Sequence, residues 1–213
     1  MCAYCSLKIQ CNLISARCGT IASVVKGVFD EAERDFGGTG TASASRRGDD
    51  ETRLVRRTWA PRGERPVMYC WARHDRLSVI AGLTLSSRRR RIGLYFTIHP
   101  RNVKTPEVEA FIRQVQRRLG RPLVVVMDRL AAHRSAARRL KGDERFVIEW
   151  LPGYAPDLNP VEAVWSQTKY TDLANYVPAD VLDLEIEAEL ALEATKDKPD
   201  LLRSFFHAAR LKR

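Results

Sequence analysis

The chain has 213 residues, and 45% of them are hydrophobic, which is enough to form one domain with a buried core. Lys and Arg outnumber Asp and Glu by 36 to 26, for a formal net charge of +10. This balance favours polyanionic partners such as nucleic acid, although a solvated basic surface without a specific ligand has the same composition.

No apolar run reaches about 18 residues, which argues against a membrane span. The first residues lack the apolar core of a secretory signal, so we expect a cytoplasmic protein.

The first 53 residues differ in composition from the rest. Cys2 and Cys5 have the spacing of zinc ligands, but no second close pair follows, which favours reduced thiols in a poorly ordered segment. Residues 21–29, IASVVKGVF, are rich in β-branched side chains and could form a strand. Residues 37–50, GGTGTASASRRGDD, have the composition of a linker. We therefore predict a poorly ordered segment and linker over residues 1–53, with the main domain over the remainder.

Beyond this segment, apolar runs alternate with turn residues. Three runs, VMYCWA (67–72), LSVIAGLTL (77–85) and IGLYFTI (92–98), predict three successive strands. Residues 105–120 predict a helix, with Thr105 as the N-cap, a proline at the first helical position and a closing glycine.

The second half of the chain alternates helical and strand patterns. The continuous apolar run PLVVVMD (122–128) predicts a buried strand that ends in an acid. A helix over 131–141, a strand over 146–151, a helix over 160–170 and C-terminal helices from residue 178 are expected to follow. This order predicts an α/β fold with a mixed sheet flanked by helices.

Two acids in this half are candidates for chemistry. Asp128 lies at the carboxyl end of a predicted strand, where ligand-binding groups gather in α/β sheets, although an acid there also simply begins a turn. Glu162 lies in the first turn of a helix that has Asn159 as its N-cap and Pro160 at its first position. Glu162 could complete a capping box with Asn159, or could be held in place as a metal ligand. Carboxylates that converge on one site would bind Mg²⁺, which prefers oxygen ligands.

Three sequence stretches together carry a resemblance to a known family: LVRRTWAPRGERPV (54–67), VVVMDRLAAHR (124–134) and EWLPGYAPDLNPVEAVWSQTKY (149–170). They resemble the catalytic domain of the mariner-like superfamily of insertion-sequence transposases, the DDE superfamily endonucleases. The resemblance implies a ribonuclease-H-like mixed sheet over residues 54–213, including C-terminal helices. It also implies an Asp-Asp-Glu active site that binds Mg²⁺ or Mn²⁺.

By this resemblance Asp128 is the second acid of the triad and Glu162 the third. His133 and Asn159 fall on motif positions and are expected to support the site.

The first acid is less well marked. In the family it lies in an apolar strand and is followed by Glu. Asp50 is followed by Glu51 and is the candidate by position, but no apolar run precedes it. Asp30 has the apolar run but lies far upstream, and a third alternative is that no equivalent exists.

The resemblance implies metal-dependent DNA strand cleavage and strand transfer in the transposition of a mobile element, in which water and then a DNA 3′-hydroxyl attack a phosphodiester. The alternative is a catalytically inactive DNA-binding remnant. A third hypothesis is a protein-interaction module built on the helix containing LEIEAELALEA (184–194), whose spacing is also typical of a core-facing stripe.

The expected partners follow from the same resemblance. They are DNA, as terminal repeats and target, a second copy of the chain, and a separate product of an upstream reading frame that carries a helix-turn-helix region. The side chains expected to contact DNA are Arg88, Arg89, Arg90 and Lys169.

Overall fold

The structure is a computed structural model that describes Arg62, residues 77–88, 90–153 and 155–209, and the backbone of residues 20–29.

A five-stranded mixed sheet forms the centre of the fold. Its strands are β1 (Thr20–Phe29), β2 (Leu77–Ser86), β3 (Ile92–His99), β4 (Leu123–Met127) and β5 (Phe146–Trp150). The spatial order is β3-β2-β1-β4-β5. β2 is antiparallel to both β1 and β3, whereas β4 runs parallel to β1 and β5. The predicted α/β class and mixed sheet are confirmed.

β1 corrects the predicted start of the domain. The sequence reading left residues 1–53 outside the catalytic domain, but residues 20–29 form the central strand, hydrogen-bonded to β2 on one side and β4 on the other. The strand expected at 21–29 is therefore confirmed, and the sheet includes part of the N-terminal segment. The strand expected at 67–72 lies outside the described residues.

The described residues form five α-helices. They are α1 (Thr105–Leu119), α2 (Ala131–Leu140), α3 (Pro160–Gln167), α4 (Val181–Lys196) and α5 (Pro199–Ala208), with a π-helical turn at Thr168–Asp172 directly after α3. The expected N-cap of α1 is wrong by one residue, because Lys104 takes that position and its N–H donates to Glu107 Oε2 over 2.9 Å. Gly120 ends α1 with a left-handed φ of 63°, as the sequence predicts.

Helices cover both faces of the sheet. α3, α4 and α5 enclose one apolar cluster against β2 and β3, and α1 and α2 enclose another against β4 and β5. β2 contributes to both clusters because its alternate side chains point to opposite faces, and Val79 and Ile80 are both fully buried.

The apolar residues of α4 are only partly used by the core. Ala188 and Leu192 are fully buried, whereas Leu182, Ile186 and Leu190 are exposed. The core-facing interpretation of LEIEAELALEA is therefore correct for one face of the helix only.

Among the residues that the structure describes, no helix is long and apolar enough to cross a membrane. The cytoplasmic location stays a prediction.

Candidate active site at the carboxyl edge of the sheet

Asp128 directly follows β4 and lies at the edge where the parallel strands β1, β4 and β5 end. β4 itself is fixed by its apolar side chains, since Leu123, Val125 and Met127 are fully buried. The Asp128 side chain is 34% exposed, and its Oδ1 accepts a hydrogen bond of 3.1 Å from the Leu130 N–H. A carboxylate is thus held at the end of a rigid strand while it still faces solvent.

His133 orients this carboxylate from the first turn of α2. Its side chain is completely buried, and its Nδ1 lies 2.5 Å from Asp128 Oδ1, so Nδ1 donates and the carboxylate accepts. Burial raises the pKa of Asp128, but the hydrogen bond and charge of His133 and the N–H of Leu130 lower it by more. The net pKa of Asp128 is below its usual value. His133, expected as a support residue, therefore contacts the second predicted acid directly.

Glu162 is positioned by the capped start of α3. Asn159 is 4% exposed, and its side chain accepts a 3.3 Å hydrogen bond from the Val161 N–H. Val161 and Val164 are fully buried and anchor the helix in the core. The capping box considered from the sequence is not formed among the described residues, because Asn159 caps the helix without a reciprocal bond from the Glu162 side chain. The Glu162 carboxylate is therefore not used for capping.

The two carboxylates interact electrostatically. The pKa of Glu162 is raised, first by burial and then by the negative charge of Asp128, while the charge of Lys169 lowers it. Lys169 lies in the π-helical turn that follows α3, a type of irregularity that is frequent at functional sites. The sequence-predicted Asp128, Glu162, His133, Asn159 and Lys169 are thus brought to one region.

This pair of carboxylates fits a divalent cation. Oxygen donors are the ligands that hard cations prefer, and a cation would relieve the repulsion that raises the pKa of Glu162. Among the described residues, no group of three His, Cys, Asp or Glu side chains converges on a metal site.

Both candidates for the first acid, Asp50 and Asp30, lie outside the described residues. The register of β1 nevertheless bears on the question. Ser23 pairs with Val126, so Val25 is level with Asp128.

Arg88 and Arg90, two of the arginines expected to contact DNA, lie at the opposite ends of the strands from Asp128. Arg88 is exposed in the turn between β2 and β3, Arg90 is exposed just after it, and Arg89 lies outside the described residues. This turn follows Ser86, at the end of β2. Ser86 pairs with Thr20 of β1, and Thr20 also pairs with Leu123, the first residue of β4. The turn between β2 and β3 is therefore separated from Asp128 by the length of β4, at least about 16 Å.

The sequence reading missed a basic cavity beside the site. α2 and β5 border an open cavity of about 550 Å³ that is lined by the exposed Arg129, Arg134, Arg138 and Lys141, with Phe146 and Trp150 on the strand side. The signal in the sequence was the run of arginines through α2, which by itself is also typical of a solvated helix face.

Comparisons with known proteins agree with this arrangement. The family model described as DDE superfamily endonuclease matches residues 46–183, a range that includes Asp50, Asp128 and Glu162 but not β1. No curated protein matches the chain by sequence.

Among solved structures, the chain is similar to the Mos1 transposase paired-end complex with left transposon end, at 11% identity and a TM-score of 0.56, over 96% of this chain and 60% of that one. It is also similar to the Mos1 mariner paired end complex with Mn, at 11% identity and a TM-score of 0.57, over 97% of this chain and 58% of that one. The chain thus spans about 60% of the length of these proteins. The shared fold confirms the expected ribonuclease-H-like architecture.

Proposed function

Because the chain belongs to the DDE superfamily endonucleases, we propose that it is a transposase that cleaves DNA strands and transfers them in transposition. The observation that carries this proposal is the convergence of Asp128 and Glu162, one at the end of β4 and the other at the start of α3, so that the charge of Asp128 raises the pKa of Glu162. A buried strand carries Asp128 and a capped helix carries Glu162, and the two carboxylates lie within electrostatic reach of each other.

The proposed ligands of Mg²⁺ or Mn²⁺ are Asp128, Glu162 and a first acid, for which Asp50 is the candidate by position and Asp30 the alternative. When bound, the cation supplies Lewis-acid polarisation of the phosphodiester oxygens. His133 fixes the orientation of Asp128 through the 2.5 Å contact, and Asn159 fixes the start of α3. These two residues position the ligands without being ligands themselves.

DNA is the proposed substrate and partner, as element ends and as target. The net charge of +10 favours association with phosphates. Lys169, whose charge lowers the pKa of Glu162, is proposed to contact a phosphate near the reaction. Arg88 and Arg90 are proposed to contact the DNA backbone away from the reaction, because they lie at the opposite ends of the strands. Arg89, which lies outside the described residues, stays a predicted DNA contact.

The test is cleavage of DNA carrying the element ends by the purified full chain, with Mg²⁺, Mn²⁺ or a chelator. We expect nicking that requires the cation and that falls by about a thousandfold or more in Glu162→Gln, since the charge of the ligand is lost while its shape is kept. Glu189→Gln removes an exposed acid of α4 that is not one of the proposed site residues, and it should keep full activity. If wild type does not cleave, or if both variants behave alike, the proposal is wrong.

The first acid is tested by Asp50→Asn and Asp30→Asn, made separately. The variant that abolishes cleavage without weakening DNA binding identifies the ligand. If neither variant changes the rate, neither residue is the first ligand.

A DNA-binding remnant is the second candidate, because Val25 occupies the level of Asp128 in β1. It predicts DNA binding that weakens steeply with salt, without cleavage under any cation. Cleavage that depends on Glu162 would exclude it.

A further inference from the structure

The cavity between α2 and β5 extends away from the carboxylates along the edge strand of the sheet. Phe146, Ile148 and Trp150 alternate along β5 and face α2, which is consistent with the two-residue period of a strand. Trp150 pairs with Met127, the residue before Asp128, whereas Phe146 pairs with Leu123 at the opposite end of β4. The cavity therefore begins beside the proposed active site and continues for about 13 Å along β5.

The cations around this cavity differ from their neighbours in having no acidic partner among the residues that the structure describes. Arg129, Arg134, Arg138 and Lys141 form no ion pair with any residue that the structure describes. All four side chains are exposed. A cavity bordered by four unneutralised cations attracts an anion.

The basic residues just outside the cavity are neutralised. Arg139, next to Arg138 on α2, lies 3.5 Å from Glu109. Arg113 contacts Glu109 at 3.0 Å and Asp143 at 3.1 Å, and Arg145 contacts Asp143 at 2.7 Å. Acids are therefore present around this part of the fold, but they pair with the cations that point away from the cavity.

The two aromatic side chains of the cavity, Phe146 and Trp150, differ in how far their rings are covered by neighbouring side chains. The Phe146 ring is already covered, with the Arg113 and Arg145 guanidinium carbons each 5.8 Å from its centre. Trp150 is partly exposed, and no such cation–ring contact with it is formed among the described residues. Trp150 therefore lies at the end of the cavity nearest Asp128, with part of its indole accessible to solvent.

We propose that this cavity binds an unpaired DNA strand next to the active site, with phosphates between the cations and a base stacked on Trp150. The inference rests on the proposed function, since it assigns a binding site to the same substrate. A concave site with an aromatic wall suits unpaired nucleotides, whose bases are free to stack, better than a duplex, whose bases are stacked on one another. An acidic peptide would satisfy the cations but would not use the indole face.

The experiment measures the affinity of the full chain, in chelator, for a blunt duplex and for the same duplex with an extension of about four unpaired nucleotides, which matches the length of the cavity. Wild type is expected to prefer the extended duplex. Trp150→Leu should lower this preference roughly tenfold, because base stacking on an aromatic side chain is lost. Trp150→Phe, which keeps an aromatic face, should retain most of it and serves as the folded reference if Trp150→Leu is unstable.

Arg138→Gln and Arg139→Gln are a matched pair, because they are neighbours on α2 and each removes one charge. Arg138→Gln should weaken binding of the extended duplex about fivefold and lower the slope of log affinity against log salt by about 0.7, the loss of one single-strand phosphate contact. Arg139→Gln, which loses a pair with Glu109, should change affinity by about twofold or less.

Equal effects of Arg138→Gln and Arg139→Gln, or an unchanged preference in Trp150→Phe and Trp150→Leu alike, would overturn the proposal. The proposal would also be overturned if polyglutamate competed with the extended duplex as strongly as single-stranded DNA does, and competed equally well in wild type and Trp150→Leu. Because binding is measured without a cation, the result is separate from catalysis. If the protein shows this binding pattern but does not cleave DNA, only the transposase proposal is wrong. If it cleaves DNA without this binding pattern, only the proposed binding site in the cavity is wrong.

Discussion

The two edges of the central sheet hold charged residues in different ways. At the carboxyl edge, Asp128 is bound to the fully buried His133, and Glu162 starts a helix capped by the buried Asn159. At the amino edge, Arg88 and Arg90 are exposed beside a turn. The carboxylates of Asp128 and Glu162 are preorganised and partly desolvated, while the exposed side chains of Arg88 and Arg90 are solvated. This difference predicts catalysis at one edge and general attraction of DNA at the other.

The largest effect is expected from Asp128→Asn. Cleavage should fall by about a thousandfold or more, because the amide cannot supply the charge of a metal ligand, while the free energy of unfolding changes little. Initial cleavage rates and urea denaturation measure the two quantities. Glu189→Gln, which removes one negative charge at an exposed position of α4, is the control for a general loss of negative charge.

The next effect is expected from His133→Ala. Loss of a completely buried side chain should cost about 2–4 kcal/mol in the free energy of unfolding, and cleavage should fall by about 10- to 100-fold because Asp128 loses its orientation. Urea denaturation and rates measured well below the melting temperature separate these effects. A variant that is destabilised but fully active would show that His133 only fills space.

A smaller effect is expected from Asn159→Ala. Removal of the cap of α3 should cost about 1 kcal/mol in stability, and cleavage should fall by about tenfold because the start of the helix carries Glu162. Thermal unfolding and cleavage rates measure both. Asp180→Ala, which removes the cap of α4 by breaking its 2.8 Å bond to the Asp183 N–H, is the matched control and should lower stability without lowering the rate.

The smallest effect is expected at the amino edge. Arg88→Gln with Arg90→Gln should weaken DNA binding a few-fold, reduce its salt dependence by about two phosphate contacts, and leave the cleavage rate of bound DNA unchanged. Binding titrations at several salt concentrations and single-turnover cleavage test this. A large loss of single-turnover rate would mean that the two edges act together.

The residues of the candidate site were predictable because their signals are local. The acid after the buried run 122–127 predicts a group at the end of a strand, and Asn159-Pro160 predicts a helix start that carries Glu162. The alternative in which Glu162 completes a capping box was decided only by the structure, since both geometries share the same sequence.

Other features depended on residues far apart in the chain. β1 was recognised as a strand, but its place at the centre of the sheet is set by hydrogen bonds to β2 and β4, which lie about fifty and a hundred residues later. The exposed Leu182, Ile186 and Leu190 of α4 follow the same spacing as buried residues, so only packing could separate the two faces.

The sequence by itself determined where chain segments begin and end and which acids stand at those ends, because strand runs, caps and turns are properties of neighbouring residues. The tertiary structure alone decided which charges meet. It brought Asp128 next to His133 and within electrostatic reach of Glu162, placed Arg88 at the far edge, and paired Arg139 with Glu109 while leaving Arg138 at the border of a cavity. The physical reason is that strand order, register and helix packing are fixed by contacts between distant segments, and these contacts set the distances on which electrostatics depends.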